Sequence, residues 1–434
     1  MNDANNDQGM GNYKGMGAGF ATVTTLFFMW GFITVSIDPL IAALKALFNL
    51  TYAQAMLTQF AFFMAYFVVS LPAAALIARL GNSKSIIFAL GVMVVGCLIV
   101  PAATAFDTYS LVLLALFVIA SGITILQVVA NPLAAALGPP ARAHFRLSFS
   151  QTFNSVGTWL APHLVSGIIL VGGIFAVAKG TEITPELRAE SFRNIDSVFF
   201  MIAGALVVLA LFIYVFRRLL DVTKPVDAGQ QPSVATALKS RWALFGAGAI
   251  FLYVGAEVSI GSAMTNFLHE PDILNISLEE AGKMVSYYWG GAMVGRLIGS
   301  GLLFIVKQRA PWMLAVFALG AAVLCLAVTQ LHGSSAAYLA LSIGLFNSIM
   351  FPVIFTLTLE RSTAAPAATS GLLCLAIVGG AILPYVFGHI ADNAGLHVAY
   401  FLPAVAYGLI VVFAIASTKA KTYEHGTASQ GASH

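Results

Sequence analysis

Residues 18–47 read AGFATVTTLFFMWGFITVSIDPLIAALKAL, thirty residues with two charges, Asp38 and Lys45. About 20 apolar residues wound as an α-helix cross the hydrocarbon core of a bilayer, so this stretch is more than one crossing long. Comparable runs recur outward from it. They fall at 18–47, 55–79, 84–105, 109–138, 146–174, 195–219, 242–269, 280–306, 311–331, 335–360, 365–391 and 395–418. Strands of a transmembrane barrel would be half as long and would alternate apolar with polar. The pattern is that of an all-α membrane protein with twelve transmembrane helices. The first and fourth runs exceed what a crossing needs and are expected to tilt or to pass beyond the headgroups.

Composition agrees. Of 434 residues, 59% are hydrophobic and 9% are charged, against about 25% charged in soluble domains. That excludes a soluble globular enzyme, which needs charges to cover a wet surface. A 12% aromatic content excludes a disordered chain. Cys97, Cys325 and Cys374 all lie inside apolar runs, which argues against disulfides and metal clusters. No nucleophile–base pair, phosphate-binding glycine loop or metal-ligand spacing is visible, so neither enzymatic activity nor a cofactor or metal is expected. A net charge of +3 leaves no nucleic-acid footprint. The first 16 residues are polar, and the run after them is too long and aromatic for a signal-peptide core.

Two polar stretches divide the chain. Residues 175–194 are expected to form an external loop. Residues 220–241 are expected to be a linker between a first bundle at 17–219 and a second at 242–418, with tails at 1–16 and 419–434. With both termini placed in the cytoplasm, fifteen Lys and Arg fall inside, five fall outside, and Arg296 lies within a run. That bias predicts cytoplasmic termini and supports an even number of crossings.

The halves are weakly alike. WGFITVSID (30–38) lies against YVGAEVSIG (253–261), NLTYAQA (49–55) against NISLEEA (275–281), and residues 65–86 against residues 292–313, all at an offset of 223 to 227. Two similar six-helix halves with both termini on one side form parallel repeats about an axis along the membrane normal. This is the architecture of major-facilitator transporters, whose substrate site lies between the repeats at the midplane.

Asp38 and Glu257 are the acids deep in apolar runs. A charge at the bilayer centre costs roughly 2.5 to 3.5 kcal/mol on insertion scales, so it normally faces a cavity or a partner. Burial disfavours the charged form of a carboxyl group, which suits proton loading and release; a contact between helices is the structural alternative for either acid. Arg296 is expected one turn from a cytoplasmic end, reaching toward helix-end carbonyls. Amides cluster as Gln127, Asn131, Gln151, Asn154 and Asn347. Gln127 and Asn131 are four apart on one helix face. Amides donate and accept hydrogen bonds, as a neutral polyhydroxylated ligand requires, although each alone could instead join helices. Trp30 and Trp289 stand in aromatic runs and offer flat apolar surfaces to a pyranose, with packing or lipid contact as their alternative use. His163 and His389 are expected to be packed side chains.

The segments FFMWGFITVSIDPLIAALK (27–45), QVVANPLAAALGP (127–139), RLSFSQTFNSVG (146–157), YVGAEVSIGSAMTNFL (253–268) and FNSIMFPVIFTLTLE (346–360) resemble the fucose–galactose–glucose–proton symporter family of the major facilitator superfamily. The likeness runs over about residues 20–415 and is closer to the glucose/galactose and N-acetylglucosamine branch. It implies that Asp38 is the proton-linked acid, that Gln127 is a substrate-contacting position where the fucose permease carries a Glu, and that Asn131, Gln151, Asn154 and Asn347 line the cavity. Glu257 is implied in the cavity wall. The expected activity is proton-coupled import of a monosaccharide, a hexose such as glucose or galactose, by alternating access. Sodium coupling and N-acetylglucosamine or fucose as substrate are alternatives. A transport-inactive sugar sensor is a different class, which short tails argue against, and a multidrug exporter would need fewer amides. The protein is expected to act as a monomer in the lipid bilayer of a bacterial inner membrane.

Overall fold

The computed structural model describes residues 16–137, 143–177, 183–221, 234–305 and 309–423. Most of the two tails, and residues 222–233 of the expected linker, lie outside these. The described residues are helical, with no strand among them. Ten helices or pairs of helices are long and apolar enough to cross a membrane. Two more, Ala143–Ile169 and Leu278–Ile305, are as long but more polar; counted with the ten as spans 5 and 8, they are consistent with the twelve expected. Their polarity has a cause: span 5 and span 8 lie against each other between the halves, where Trp159 meets Gly290 and Ser166 meets Gly282. Lipid-facing positions stay apolar. Val95 and Leu98 on span 3, Val208 and Leu211 on span 6, Val316 and Leu319 on span 9, and Val405 and Val412 on span 12 are all exposed.

Span 1 is Met16–Val35 continued by Ile37–Leu47. The break at Ser36 follows from Pro39, which has no N–H to give to the carbonyl of residue 35. Span 2 is Tyr52–Leu80, span 3 Asn82–Ala105 and span 4 Tyr109–Ala136. Span 6 is Pro185–Phe216, longer than expected. The stretch 175–194 is therefore loop only in part. Thr184 caps the helix with Pro185 in its first turn, a favoured position for proline, and Arg188 pairs with Asp107 of the span 3–4 turn at 2.8 Å. Span 7 is Arg241–His269 and span 9 Ala310–Val328. Span 10, expected to be unbroken, divides into Gly333–Asn347 and Met350–Arg361. Pro352 leaves the Ser348 carbonyl without its helical donor. Span 11 divides likewise into Pro366–Leu375 and Gly379–Ala394, and span 12 is Phe401–Lys419.

The internal repeat is visible in backbone detail. Asn49 and Asn275 both adopt positive φ, 49° and 51°, in the left-handed region that asparagine tolerates. Each is followed by a capping box, Thr51 with Gln54 and Ser277 with Glu280. The motif thus turns the chain identically after span 1 and after span 7.

On the face opposite the chain termini the halves are locked together. The Tyr52 and Ala53 N–H groups, at the start of span 2, donate to the Asp392 carboxylate of span 11 at 2.6 and 2.8 Å. The Tyr52 hydroxyl donates to Glu270 at 2.7 Å, and the Lys45 ammonium lies 4.1 Å from the Tyr52 ring centre. Gly388 permits this approach, since a Cβ there would stand 2.7 Å from the Tyr52 carbonyl oxygen.

Candidate functional site

Asp38 sits in the first turn after the break in span 1 and is only 3% exposed. Both its oxygens are held from the other half. The Ser262 hydroxyl of span 7 donates to Oδ1 at 3.2 Å, and the Trp289 indole N–H of span 8 donates to Oδ2 at 3.0 Å. Gln59 of span 2 in turn donates to the Ser262 hydroxyl at 2.8 Å. Three spans from both halves therefore meet on one carboxyl group, and a fourth, span 2, reaches it through Ser262. Trp289, expected as a platform for a sugar ring, is fastened by its N–H to Asp38 and is half-buried. Trp30 is buried and packs on Phe27, ring centres 4.2 Å apart.

Glu257 belongs to a second cluster. Its carboxyl group neighbours the Tyr253 hydroxyl and lies within electrostatic reach of Arg296. Arg296 is not near a span end, as the sequence reading has it. It reaches both halves, donating to the Ser155 hydroxyl of span 5 at 2.9 Å and to the Ser348 carbonyl at 3.4 Å. That carbonyl is the one Pro352 sets free. Asn347 is 0% exposed and its amide is already engaged. It donates to the Tyr288 hydroxyl at 2.7 Å and accepts from the Tyr407 hydroxyl at 2.7 Å, while its backbone carbonyl accepts from Tyr253 at 3.0 Å. Asn347 thus stands in a tyrosine network that positions Tyr253 and Tyr288.

The remaining amides come from the first half. Gln127 donates to the Tyr66 hydroxyl at 2.8 Å. Asn131, one turn along, keeps a buried Oδ1 with no partner. Gln151 is half-buried and its amide makes no hydrogen bond among the described residues. Asn154 donates to the Phe27 carbonyl at 3.1 Å and so joins span 5 to span 1. Buried polar groups are rarely left unpaired, so Asn131 and the equally unpartnered Asn266 Nδ2 are groups with hydrogen bonds still to make. Gln59, Tyr66, Ser262 and the three tyrosines around Asn347 are missing from the sequence-based site. Serine and tyrosine are common in apolar helices, and only Gln59, set within an apolar run, carries a signal.

The chain matches the family model described as Major Facilitator Superfamily over residues 19–373. It is 41% identical to a glucose/galactose transporter of Brucella abortus, over 94% of this chain and 95% of that protein. It is 34% identical to a putative glucose/galactose transporter of Helicobacter pylori, over 92% and 96%, and 29% identical to the L-fucose-proton symporter of Escherichia coli, over 91% and 92%. Among solved structures it resembles the MFS transporter FucP in the outward conformation, with a TM-score of 0.67 at 27% identity, covering 93% of this chain and all of that one. A protein with these relatives, at least ten helices fit to cross a membrane among the described residues and a polar seam between two halves is a transporter and no enzyme, and it belongs to the Major Facilitator Superfamily, in the family of these glucose/galactose and fucose transporters.

Proposed function

We propose that this chain imports a hexose of the glucose/galactose type together with a proton, in a bacterial inner membrane, acting as a monomer with both termini cytoplasmic. The excess of Lys and Arg on the terminal face supports that orientation. The observation that carries the coupling is Asp38, held by Ser262 and Trp289 across the sealed face. Sealing that face takes Asp38 out of water. Burying a bare charge costs far more than burying a neutral carboxyl group, so a proton on Asp38 favours closure, and reopening returns the group to water. Proton loading and closure of the periplasmic face are then one linked equilibrium.

Sugar binds between the halves on this reading, against Gln127, Asn131 and Gln151 from the first half and Glu257 and Arg296 from the second. Hydroxyl groups both donate and accept. They suit a site that offers amides, a guanidinium and a carboxyl group with no excess of one sign. On this reading the sealed periplasmic face sets this arrangement apart from the outward conformation described for FucP.

The test uses proteoliposomes, labelled sugars and a pH electrode, with and without sodium. Glucose or galactose should enter with a measurable proton flux that is independent of sodium. Asp38→Asn should abolish uphill accumulation and keep sugar counterflow. Uphill accumulation by the variant, or uptake driven only by sodium, would overturn the assignment.

A further inference from the structure

Three residues far apart in sequence converge on the face opposite the chain termini: Asp272 after span 7, His332 at the start of span 10 and His397 after span 11. His332 Nδ1 and His397 Nε2 lie 3.2 and 3.0 Å from the same oxygen, Asp272 Oδ2, and all three candidate ligand atoms fall within 4.8 Å of one another. The convergence is built into the backbone. Gly333, at φ 64°, gives its N–H to the Asp272 carbonyl at 2.8 Å, which brings its neighbour His332 alongside. Gly395, at φ 92°, turns the chain into the short helix Leu396–Ala399 that carries His397. The His397 ring is gripped by Phe267, with ring centres 5.3 Å apart, and by His332, at 4.6 Å.

His397 Nδ1 lies 3.0 Å from the Val328 carbonyl, which can only accept, so the ring's other nitrogen, Nε2, is the one turned to Asp272 and placed to act as a ligand. Ligand atoms at about 2.0–2.1 Å from a tetrahedral zinc stand about 3.3 Å apart, close to the 3.2 and 3.0 Å that separate the two imidazole nitrogens from Asp272 Oδ2, with the third separation within 4.8 Å. A metal-binding histidine also commonly donates its other N–H to a backbone carbonyl, as His397 does to Val328.

We propose that Asp272, His332 and His397 bind a first-row divalent cation of the zinc class, with water as the fourth ligand. Two imidazoles and one carboxylate are a borderline-hard donor set that suits zinc better than calcium or magnesium. Asp272 and His332 are exposed, which leaves room for the water and an entry path. The ion ties together the connections after spans 7, 9 and 11, and so stiffens the second half on this face. It touches none of the residues assigned to sugar or proton.

The experiment uses the full-length protein, free of any histidine tag, in detergent and stripped with a chelator. Titration with zinc should show one saturable equivalent and a rise in melting temperature. Cobalt(II) should give the absorption bands of a tetrahedral site. His332→Ala, His397→Ala and Asp272→Asn should each weaken zinc binding at least tenfold while sugar binding persists, which shows that the variants are folded. Absence of a one-equivalent isotherm, or unchanged affinity in all three variants, would overturn the site. So would a melting temperature that does not respond to zinc.

Discussion

Gln127 and Asn131 show how a single side chain is placed for use. They share one face of span 4, one of them lent to the Tyr66 hydroxyl and the other with an unpaired buried oxygen. A ligand hydroxyl can replace the first bond and supply the second. Removing one hydrogen bond to a neutral ligand costs about 0.5–1.5 kcal/mol, or roughly three- to tenfold in affinity. Gln127→Ala and Asn131→Ala should each weaken sugar binding by that factor, read from counterflow against sugar concentration. Unchanged affinity in both would return these amides to helix packing. Arg296 illustrates the opposite case, a residue whose sequence position suggests a span end. It instead crosses to Ser155 in the other half, and no local pattern announces that partner.

At the scale of elements, prolines and caps decide where helices stop. Pro39 breaks span 1 one turn before itself, and the break sets Asp38 in the first turn of a new helix. Pro352 frees the Ser348 carbonyl for Arg296. Both functional clusters thus stand at discontinuities in otherwise regular spans, where backbone polar groups are available at membrane depth. The repeated turn after spans 1 and 7 makes a quantitative prediction. Loss of an N-cap side chain costs about 1 kcal/mol, and the two boxes have the same form. Thr51→Ala and Ser277→Ala should therefore lower thermal stability by similar amounts in detergent. A large effect at one and none at the other would mean that the halves do not use the motif alike.

For the whole molecule, the question is what holds one face shut. Asp392 accepts two backbone N–H groups at the positive end of span 2, a favourable place for an anion. Those bonds exist only while spans 2 and 11 touch. Hydrogen bonds to charged groups are worth about 1.5–3 kcal/mol, so losing the acceptor should shift the balance between sealed and open forms about ten- to hundredfold. Asp392→Ala should lengthen the distance between spin labels placed at Ala46 and Asn393, in a protein lacking Cys374. An unchanged distance distribution would show that the latch lies elsewhere, in Tyr52 and Glu270 or in the packing of spans 5 and 8.

The sequence by itself determined the class of fold, the spans and the twofold repeat, because each rests on local physics. A bilayer imposes its thickness on every apolar run, prolines act on their own helix, and an Asn followed by a capping box turns the chain in the same way wherever it occurs. It also singled out Asp38, since an acid in an apolar run is conspicuous before any partner is known. Tertiary structure alone decided the partners. Only the fold shows that Tyr288 and Tyr407 engage the Asn347 amide. Only the fold shows that the Trp289 N–H meets Asp38, 251 residues away. Asp272, His332 and His397 carry no common motif. A hydrogen bond is satisfied by whatever group folding brings within about 3 Å. For side chains on different spans that group is set by how helices pack across the whole molecule, and no window of sequence contains that information.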